Sequence, residues 1–476
     1  MSNAYQNAIG LVVVGFLPYI VNFLVLPLYS QYLTPEDFGI IGIAMACMMI
    51  ASTWSHLQLP SALSRLYFDY KDLEQNEYLA SVINGSFLTS FLFCLLYYFF
   101  KDDIANLAFS RDGYSDVIAV SIFILLFNSL NLTLERVLIN QQDGGKILAR
   151  SVLCQFASVV SGVYFITVCE YGVIGFLYSQ VIYYFTMSIV SFYFIRDKYK
   201  FVLKCDLLIE SLKYSVPLIA HALGGVVFMY AGTFFIEKYL SLSLLGVFFI
   251  AEKFSQVIKS LVNSINNVIM PYYNKLSVNN QNNGKAFLEK LIPFWLSLYV
   301  PLVLLYVFAA ELFVNDYIEG EYKGLFELLI ILCFSYIFRG LYCFSSAPLF
   351  FGKKTKVIPK ITIVTGLFSL AFNYFLIKAY ALSGAGLAVL LSFFISFSLA
   401  HYFAKEVYRI KIRLNFAWLF VVSSVFAVVN FIVGSDTFLS FAFVNFLVVA
   451  LFFVLVFFNF LKLKDKLIST WSRYGK

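Results

Sequence analysis

The sequence predicts an all-α protein that crosses a membrane many times, and three observations support this fold class. The chain has 476 residues, of which 61% are hydrophobic and only 13% are charged, so its polar side chains cannot cover a soluble domain. Its apolar runs are about 20–27 residues long, which is the length of a bilayer-spanning helix and excludes the strands of an outer-membrane barrel. Its basic residues are concentrated in alternate segments between those runs.

These runs predict fourteen membrane spans with both termini in the cytoplasm. The spans are 8–33, 38–59, 79–100, 116–140, 148–169, 173–195, 214–236, 244–270, 291–313, 324–351, 357–377, 385–403, 415–433 and 438–461. The segments that this topology assigns to the cytoplasm hold 25 Lys and Arg residues, whereas the opposite loops hold five. This asymmetry follows the positive-inside rule. The net charge of +7 therefore indicates topology rather than nucleic-acid binding.

The two halves of the chain repeat each other. Residues 32–44 align without gaps on residues 239–251, and residues 171–175 pair more loosely with residues 382–386. Each pair joins corresponding spans, so the sequence predicts two parallel six-helix lobes around a cavity, with chance similarity of apolar segments as the alternative. The predicted units are an N-terminal lobe (1–195), a basic cytoplasmic connector (196–213), a C-terminal lobe (214–404), and a last helix pair with a cytoplasmic tail (405–476).

The span at 244–270 carries a polar stripe that lipid cannot accommodate. Glu252, Gln256, Lys259, Asn263 and Asn266 recur every three or four residues and therefore share one helix face. An ionised group at the bilayer centre costs at least about 2.5–3.5 kcal/mol. The stripe is therefore expected to face a water-filled cavity or a partner helix. The alternative is an internal or interhelical ion pair, such as one between Glu252 and Lys259, that only orients the bundle.

No metal site, cofactor or disulfide is predicted. The seven cysteines show no CxxC or metal-ligand spacing, and six of them fall within apolar spans. The first apolar run lacks a preceding basic region and exceeds the apolar region of a signal peptide, so we expect it to be a retained span.

Five short motifs carry a resemblance to a known family. They are LPLY at 26–29, LTPEDFG at 33–39, YGVIG at 171–175, YSVPL at 214–218, and LG at 245–246 with AEK at 251–253. Through them the chain resembles polysaccharide (O-antigen) flippases of the Wzx type, in the multidrug/oligosaccharidyl-lipid/polysaccharide (MOP) exporter superfamily. The resemblance implies a MATE-like fold in the bacterial inner membrane. It also implies that alternating access of the lobes moves undecaprenyl-diphosphate-linked oligosaccharides to the periplasmic leaflet for O-antigen and lipopolysaccharide biosynthesis.

A substrate of this kind needs cations for its diphosphate and polar groups for its sugars. The candidate substrate-binding residues are Lys253, Lys259, Arg339, Arg136, Arg65, Gln256 and Asn263. Arg suits bidentate phosphate contacts, whereas Lys acts as a point charge. For Arg65 and Arg136, the alternative to substrate binding is an ordinary role as a membrane anchor. Glu252 and His221 are candidates for proton coupling, since both can titrate inside a span.

The resemblance further implies a polysaccharide polymerase and a chain-length regulator as partners, besides the lipid-linked substrate and the bilayer. One alternative function is a MATE-type exporter of drugs or organic cations, which predicts an acidic cavity. Here the residues embedded in spans are mainly basic. The other alternative is an enzyme, such as a membrane oligosaccharide polymerase. Its expected catalytic cluster is not found in the sequence, and the longest external loop has only about 15 residues.

Overall fold

The computed structural model describes residues 2–141, 143–315, 322 and 324–410, and the regular elements within those ranges are all helical. The helices of this part are α1 (Ser2–Tyr29), α2 (Pro35–Ser55), α3 (Leu59–Leu66), α4 (Asp72–Phe99), α5 (Lys101–Ala108), α6 (Ser115–Asn140), α7 (Gly144–Val163), α8 (Gly172–Ile195), α9 (Cys205–Ser215), α10 (Leu218–Tyr239), α11 (Leu242–Asn279), α12 (Gln281–Asn315), α13 (Leu325–Phe351) and α14 (Val357–Ala404). A 3₁₀ turn (Tyr67–Asp69) follows α3, and a π-helical segment (Tyr164–Val168) follows α7. The predicted spans 415–433 and 438–461 lie outside the described residues.

Helices occupy the twelve spans that the sequence predicts for the two lobes. Within the described ranges, eight helices are long and apolar enough to cross a membrane. Helix α11 is not among these eight, because the polar stripe lowers its hydropathy. The all-helical membrane class is thus confirmed, while the count of fourteen spans and the cytoplasmic termini stay predictions.

Helix α14 joins two predicted spans, 357–377 and 385–403, across a kink. Ala381, at the kink, has φ +49° and ψ −129°, which lies outside the helical region. The position 211 residues earlier is Glu170, which joins the fifth and sixth spans of the first lobe and has φ +55°. Both lobes therefore break the chain with a positive φ at the same repeat position, next to the weakly matching segments 171–175 and 382–386.

Two short helices lie in segments that the sequence analysis assigns to a loop and to the connector between the lobes. Helix α5 lies in the predicted loop 101–115, where Asp102 and Asp103 place negative charge in its first turn. Helix α9 lies in the connector, and its Leu207, Leu208 and Leu212 pack against a small core of the N-terminal lobe. The connector therefore has a folded part that rests on one lobe.

The aligned segments 32–44 and 239–251 fold in the same way. Thr34 Oγ1 accepts a hydrogen bond from the Asp37 amide at 3.3 Å, and Asp37 accepts one from the Thr34 amide at 2.9 Å, which caps α2. Ser241, 207 residues later, caps α11 by accepting a bond from the Leu244 amide at 3.1 Å. The repeated Thr or Ser thus starts equivalent helices in the two lobes.

The two lobes meet mainly along α1, α2 and α11. Helix α2 packs against α6 in its own lobe and against α10 and α11 across the lobe boundary, while α1 packs against α7 and α11. One buried hydrophobic cluster runs through both lobes at this contact. We call the side of the molecule where residues 30–34 join α1 to α2 the hairpin end, and the side that carries α9 the connector end.

Candidate functional site in the interior between the lobes

The polar stripe of α11 keeps part of its surface open, whereas the opposite face is packed. Glu252, Lys253, Gln256, Lys259, Asn263 and Asn266 are all half-buried. The packed residues are Val247, Phe248, Ile250, Ala251, Phe254, Ile258 and Val262. Lys253 and Lys259 lie deep in the described fold and yet retain accessible surface. This combination is typical of side chains that line an internal cavity, which is one of the two environments predicted for the stripe.

Helix α13 adds an arginine to this stripe. Arg339 Nη2 donates a hydrogen bond to Asn263 Oδ1 at 3.2 Å, and the guanidinium carbon lies 5.8 Å from the ring centroid of Phe393. Arg339 Nε is buried and has no hydrogen-bond partner in the described part of the chain. Lys259 lies one turn before Asn263, within electrostatic range of both Glu252 and Arg339. We call Lys259, Asn263 and Arg339 the cationic seam.

The cations of the seam are not neutralised by direct ion pairs. Within the described ranges, no carboxylate lies within 4.0 Å of Lys253, Lys259 or Arg339. The alternative ion pair between Glu252 and Lys259 is therefore not formed in this structure. Lys253 instead places its ammonium 4.9 Å from the ring centroid of Phe249. The faces of α11 and α13 toward the interior thus carry three cations and one carboxylate, Glu252.

The N-terminal lobe holds a buried ion pair that the sequence analysis missed. Arg150 is only 1% exposed and lies 3.3 Å from Glu135 Oε2. Its Nη1 donates to Ser191 Oγ at 2.9 Å and to Asn131 Oδ1 at 3.3 Å. The predicted topology counts Arg150 among the basic residues of the cytoplasmic segment 140–150, and the structure buries its side chain within the lobe. The N-cap signal at Asp143, whose carboxylate accepts from the Lys146 amide, starts α7 early enough to bring Arg150 inside the lobe.

Several tyrosines of the interior lie within electrostatic range of the Arg150 pair, of the cationic seam or of one another. Tyr184 of α8 lies within electrostatic range of Glu135 and of Tyr19 on α1. Tyr19 in turn lies within range of Arg339, and Tyr230 of α10 lies within range of Tyr184 and Tyr19. All are half-buried. Polar groups therefore connect the two lobes through the interior.

The remaining predicted site residues are not brought to the seam. Arg65 is exposed and pairs with Asp69 at 2.8 Å, and Arg136 is exposed on α6. His221 is half-buried near the start of α10, and its Nδ1 has no hydrogen-bond partner in the described ranges. Their functional roles stay predictions. Among the described residues, no group of three or more His, Cys, Asp and Glu side chains is arranged to hold a metal ion.

The described helices define an all-helical membrane protein that carries three half-buried cations, Lys253, Lys259 and Arg339, on α11 and α13. Residues 4–277, more than half of the chain, match the family described as polysaccharide biosynthesis protein. The chain therefore belongs to the polysaccharide biosynthesis protein family, which confirms the resemblance drawn from the motifs. Comparison with curated protein sequences gives no match.

Solved structures share the fold at low sequence identity. The lipid II flippase MurJ in an inward closed conformation is 17% identical, with a TM-score of 0.76 over 94% of this chain and 98% of that chain. An inward-facing multidrug resistance transporter of the MATE family and MOP superfamily is 13% identical, with a TM-score of 0.60 over 84% of this chain and 97% of that chain. A MOP superfamily transporter from Pyrococcus furiosus is also 13% identical, with a TM-score of 0.52 over 85% of this chain and 95% of that chain. The predicted MATE-like fold is confirmed.

Proposed function

We propose that the protein is a flippase for undecaprenyl-diphosphate-linked oligosaccharide repeat units. It moves them from the cytoplasmic to the periplasmic leaflet of the bacterial inner membrane, where they are built into O-antigen or another surface polysaccharide. The observation that carries this proposal is the excess of unpaired cations on the interior faces of α11 and α13. A transporter of organic cations needs the opposite charge in its interior.

The chemistry of the cationic seam suits a diphosphate. The guanidinium of Arg339 offers a planar fork of donors whose Nε is still unused, and Lys259 adds a point charge nearby. Cations held inside a membrane protein are costly, and an anionic headgroup offsets that cost when it is bound. The polyprenyl tail can stay in the bilayer while the headgroup occupies the interior.

The direction of transport follows from topology and membrane potential. We assign the connector end to the cytoplasm, because the sequence places most basic residues in the segments of that side. A diphosphate with about two negative charges gains roughly 2.3 kcal/mol per charge per 100 mV when it moves outward through an inside-negative potential. With the protein cations fixed, the potential favours export of the headgroup. Glu252 and His221 remain our candidates for additional proton coupling.

Alternating access requires that the two lobes separate at one end while they close at the other. The α2–α11 contact closes the hairpin end in this structure, so the proposed cycle begins with the headgroup entering from the connector end. Release to the periplasm then requires that α2 and α11 separate.

Complementation in a strain that lacks its own repeat-unit flippase tests the proposal. We would compare the wild type with Lys259→Ala, Arg339→Ala and the double variant at matched membrane abundance, scoring surface polysaccharide and accumulated lipid-linked units. Lys275→Ala is the control, because Lys275 is exposed on the same helix beyond the stripe. We expect Lys259→Ala, Arg339→Ala and the double variant to lose surface polymer and to accumulate lipid-linked units. The control Lys275→Ala should do neither. Full activity of the double variant would reject the seam, and failure of the wild type with its matched sugar would favour a drug exporter.

A further inference from the structure

The two lobes present different charge to the interior. In the C-terminal lobe, the faces of α11 and α13 carry Lys253, Lys259 and Arg339 against Glu252 alone. In the N-terminal lobe, Glu135 and Arg150 form an ion pair whose charges cancel. If the diphosphate binds the cationic lobe, the opposite wall meets the part of the substrate that follows the diphosphate.

The N-terminal wall combines a carboxylate with aromatic rings. The side chain of Glu135 is 33% exposed, and its Oε2 lies 3.3 Å from Arg150 Nη2. The partly exposed carboxylate of Glu135 can accept further hydrogen bonds, and it lies within electrostatic range of Tyr183 and Tyr184. The rings of Tyr183 and Tyr184 lie 5.0 Å apart at 78° and pack edge to face against each other.

Arg150 holds this wall in place. It is buried and is fixed by Glu135, Ser191 and Asn131, which belong to α6 and α8. The ion pair therefore sets the position of the Glu135 carboxylate relative to α8, the helix that carries both tyrosines. A carboxylate fixed in this way loses little side-chain entropy when it accepts a hydrogen bond from a sugar hydroxyl group.

Resting on the proposed function, we propose that Glu135, Tyr183 and Tyr184 form a carbohydrate subsite that faces the cationic seam. Sugar rings present apolar C–H faces that pack on aromatic rings, and vicinal hydroxyl groups that donate to carboxylates. A wall of zero net charge suits hydroxyl-rich sugars, while the cationic lobe suits the diphosphate. Tyr19 lies within electrostatic range of both Tyr184 and Arg339.

The subsite divides the substrate between the lobes. The C-terminal lobe contacts the diphosphate, which every lipid-linked unit shares, and the N-terminal lobe contacts the sugars, which differ between units. Recognition of a particular repeat unit is then a property of α6 and α8. Since one substrate bridges both walls, its binding draws the lobes together around it.

Binding measurements on the purified full-length protein in nanodiscs test this division. The two probes are undecaprenyl diphosphate and the lipid-linked oligosaccharide extracted from the native host. Tyr184→Leu is expected to weaken binding of the oligosaccharide lipid roughly five- to tenfold, as the loss of one aromatic contact does, while binding of undecaprenyl diphosphate stays unchanged. Arg339→Ala is expected to weaken binding of both probes. Tyr193→Leu, at an exposed position of the same helix, is the matched control and should change neither.

Retained binding of undecaprenyl diphosphate shows that Tyr184→Leu is folded, so each outcome can be interpreted. Equal loss for both probes, or no change for either, would overturn the carbohydrate subsite while leaving the flippase proposal standing. If the wild type bound neither probe, the proposed function itself would fail, and the subsite with it.

Discussion

Gly39 and Gly246, which occupy the same position in the two repeats, each lie directly against the backbone of the other repeat's helix. A Cβ atom added at Gly39 would overlap the carbonyl oxygen of Leu242, and one added at Gly246 would overlap the carbonyl oxygen of Pro35. Pro35 and Leu242 are themselves equivalent positions, 207 residues apart. The α2–α11 crossing is therefore symmetric, and its closeness depends on two side chains being absent.

We expect Gly39→Ala and Gly246→Ala to open the hairpin end. The added methyl groups meet backbone rather than a mobile side chain, and such overpacking typically costs about 1–3 kcal/mol. A cost of that size changes the ratio of closed to open molecules roughly 5- to 150-fold. Spin labels at Tyr32 and Tyr380, exposed at the hairpin ends of the two lobes, would report longer distances by pulsed electron paramagnetic resonance.

Gly225→Ala is the matched control for these variants. A Cβ atom at Gly225 would meet nothing within 4 Å, so the label distances should stay as in the wild type. Unchanged distances in both Gly39→Ala and Gly246→Ala would show that the lobes do not separate at this crossing.

A second contact across the lobes at the hairpin end involves Ser110 and Glu237. The carboxylate of Glu237 accepts bonds from the Ser110 amide at 2.7 Å and from its hydroxyl at 2.9 Å. We expect Ser110→Ala to shift the same label distances slightly and Glu237→Ala to shift them more, because the second variant removes both bonds. The contact is exposed to solvent, so the effect should be about 1 kcal/mol or less.

Arg111→Ala separates this effect from a general change of surface charge. Arg111 pairs with Glu36 at 3.1 Å inside the N-terminal lobe, and that pair does not cross the boundary. If Arg111→Ala shifted the distances as much as Glu237→Ala, the Ser110–Glu237 hydrogen bonds would not specifically hold the two lobes together.

The sequence predicts features whose causes are local. The Thr34-Pro35-Glu36-Asp37 segment supplies a helix cap by itself, and the aligned segment at Ser241 supplies the same chemistry. The polar stripe of α11 was predicted because a period of three and four residues fixes a helix face without tertiary information. These elements appear in the structure where the sequence predicts them.

What escaped prediction depends on contacts between distant helices. Arg339 meets Asn263, 76 residues away, and no local pattern around either residue announces that contact. Glu135 and Arg136 are neighbours on α6, and the sequence analysis singled out Arg136, although Asn128, Asn131 and Glu135 recur at spacings of three and four residues on one helix face. The structure turns Glu135 toward Arg150 and leaves Arg136 exposed.

Asn263→Asp should inactivate the cationic seam while leaving its shape intact. The new carboxylate would accept the existing 3.2 Å bond from Arg339 and neutralise the guanidinium. An anionic substrate then competes with an internal anion, and we expect transport to fall roughly tenfold or more, as a loss of about 1.5–3 kcal/mol implies. The complementation assay for surface polysaccharide measures the effect.

Asn263→Ala is the control at the same position, because it removes the amide without adding charge. We expect it to retain more activity than Asn263→Asp, since Arg339 then remains free to bind the substrate. Equal defects in the two variants would mean that the Asn263 amide, rather than the charge of Arg339, is what transport needs.

Replacement of Arg150 should destabilise the N-terminal lobe. Arg150→Ala leaves Glu135 without its partner and removes the bonds to Ser191 and Asn131. Loss of one member of a fully buried pair costs about 3–5 kcal/mol, and we expect a smaller cost here because the Glu135 side chain is 33% exposed. Thermal unfolding in detergent should show a lowered Tm. The exposed pair of Arg196 with Asp197 is the control, because breaking a surface pair costs about 1 kcal/mol or less.

Glu135→Gln combined with Arg150→Ala provides a further check on this pair. The second change removes the unpaired carboxylate, so the double variant should regain part of the lost stability. If the two effects were additive, the ion pair would contribute nothing to the stability of the lobe, and Arg150 would act only through its other hydrogen bonds.

The connector is bound to the N-terminal lobe by hydrogen bonds that begin before α9 and continue along it. Asn84 accepts from the Tyr199 hydroxyl at 2.6 Å and donates to the Val202 carbonyl at 2.9 Å. Glu210, within α9, accepts from the Tyr70 hydroxyl at 2.6 Å. The flexible joint between the lobes is therefore shorter than the predicted connector 196–213, and we expect it at Val216 and Pro217, between α9 and α10.

A covalent link between the connector and the N-terminal lobe should therefore be tolerated. Cys205 is exposed and lines one pocket with Glu77, so a short bis-maleimide can join it to a cysteine introduced by Glu77→Cys. We expect the linked protein to keep transporting, because both ends of the link move together. The same reagent between cysteines replacing Ser110 and Glu237, which span the lobes, should abolish transport. Loss of transport on linking Cys205 to position 77 would show instead that the connector leaves the N-terminal lobe during the cycle, and the joint would have to include α9.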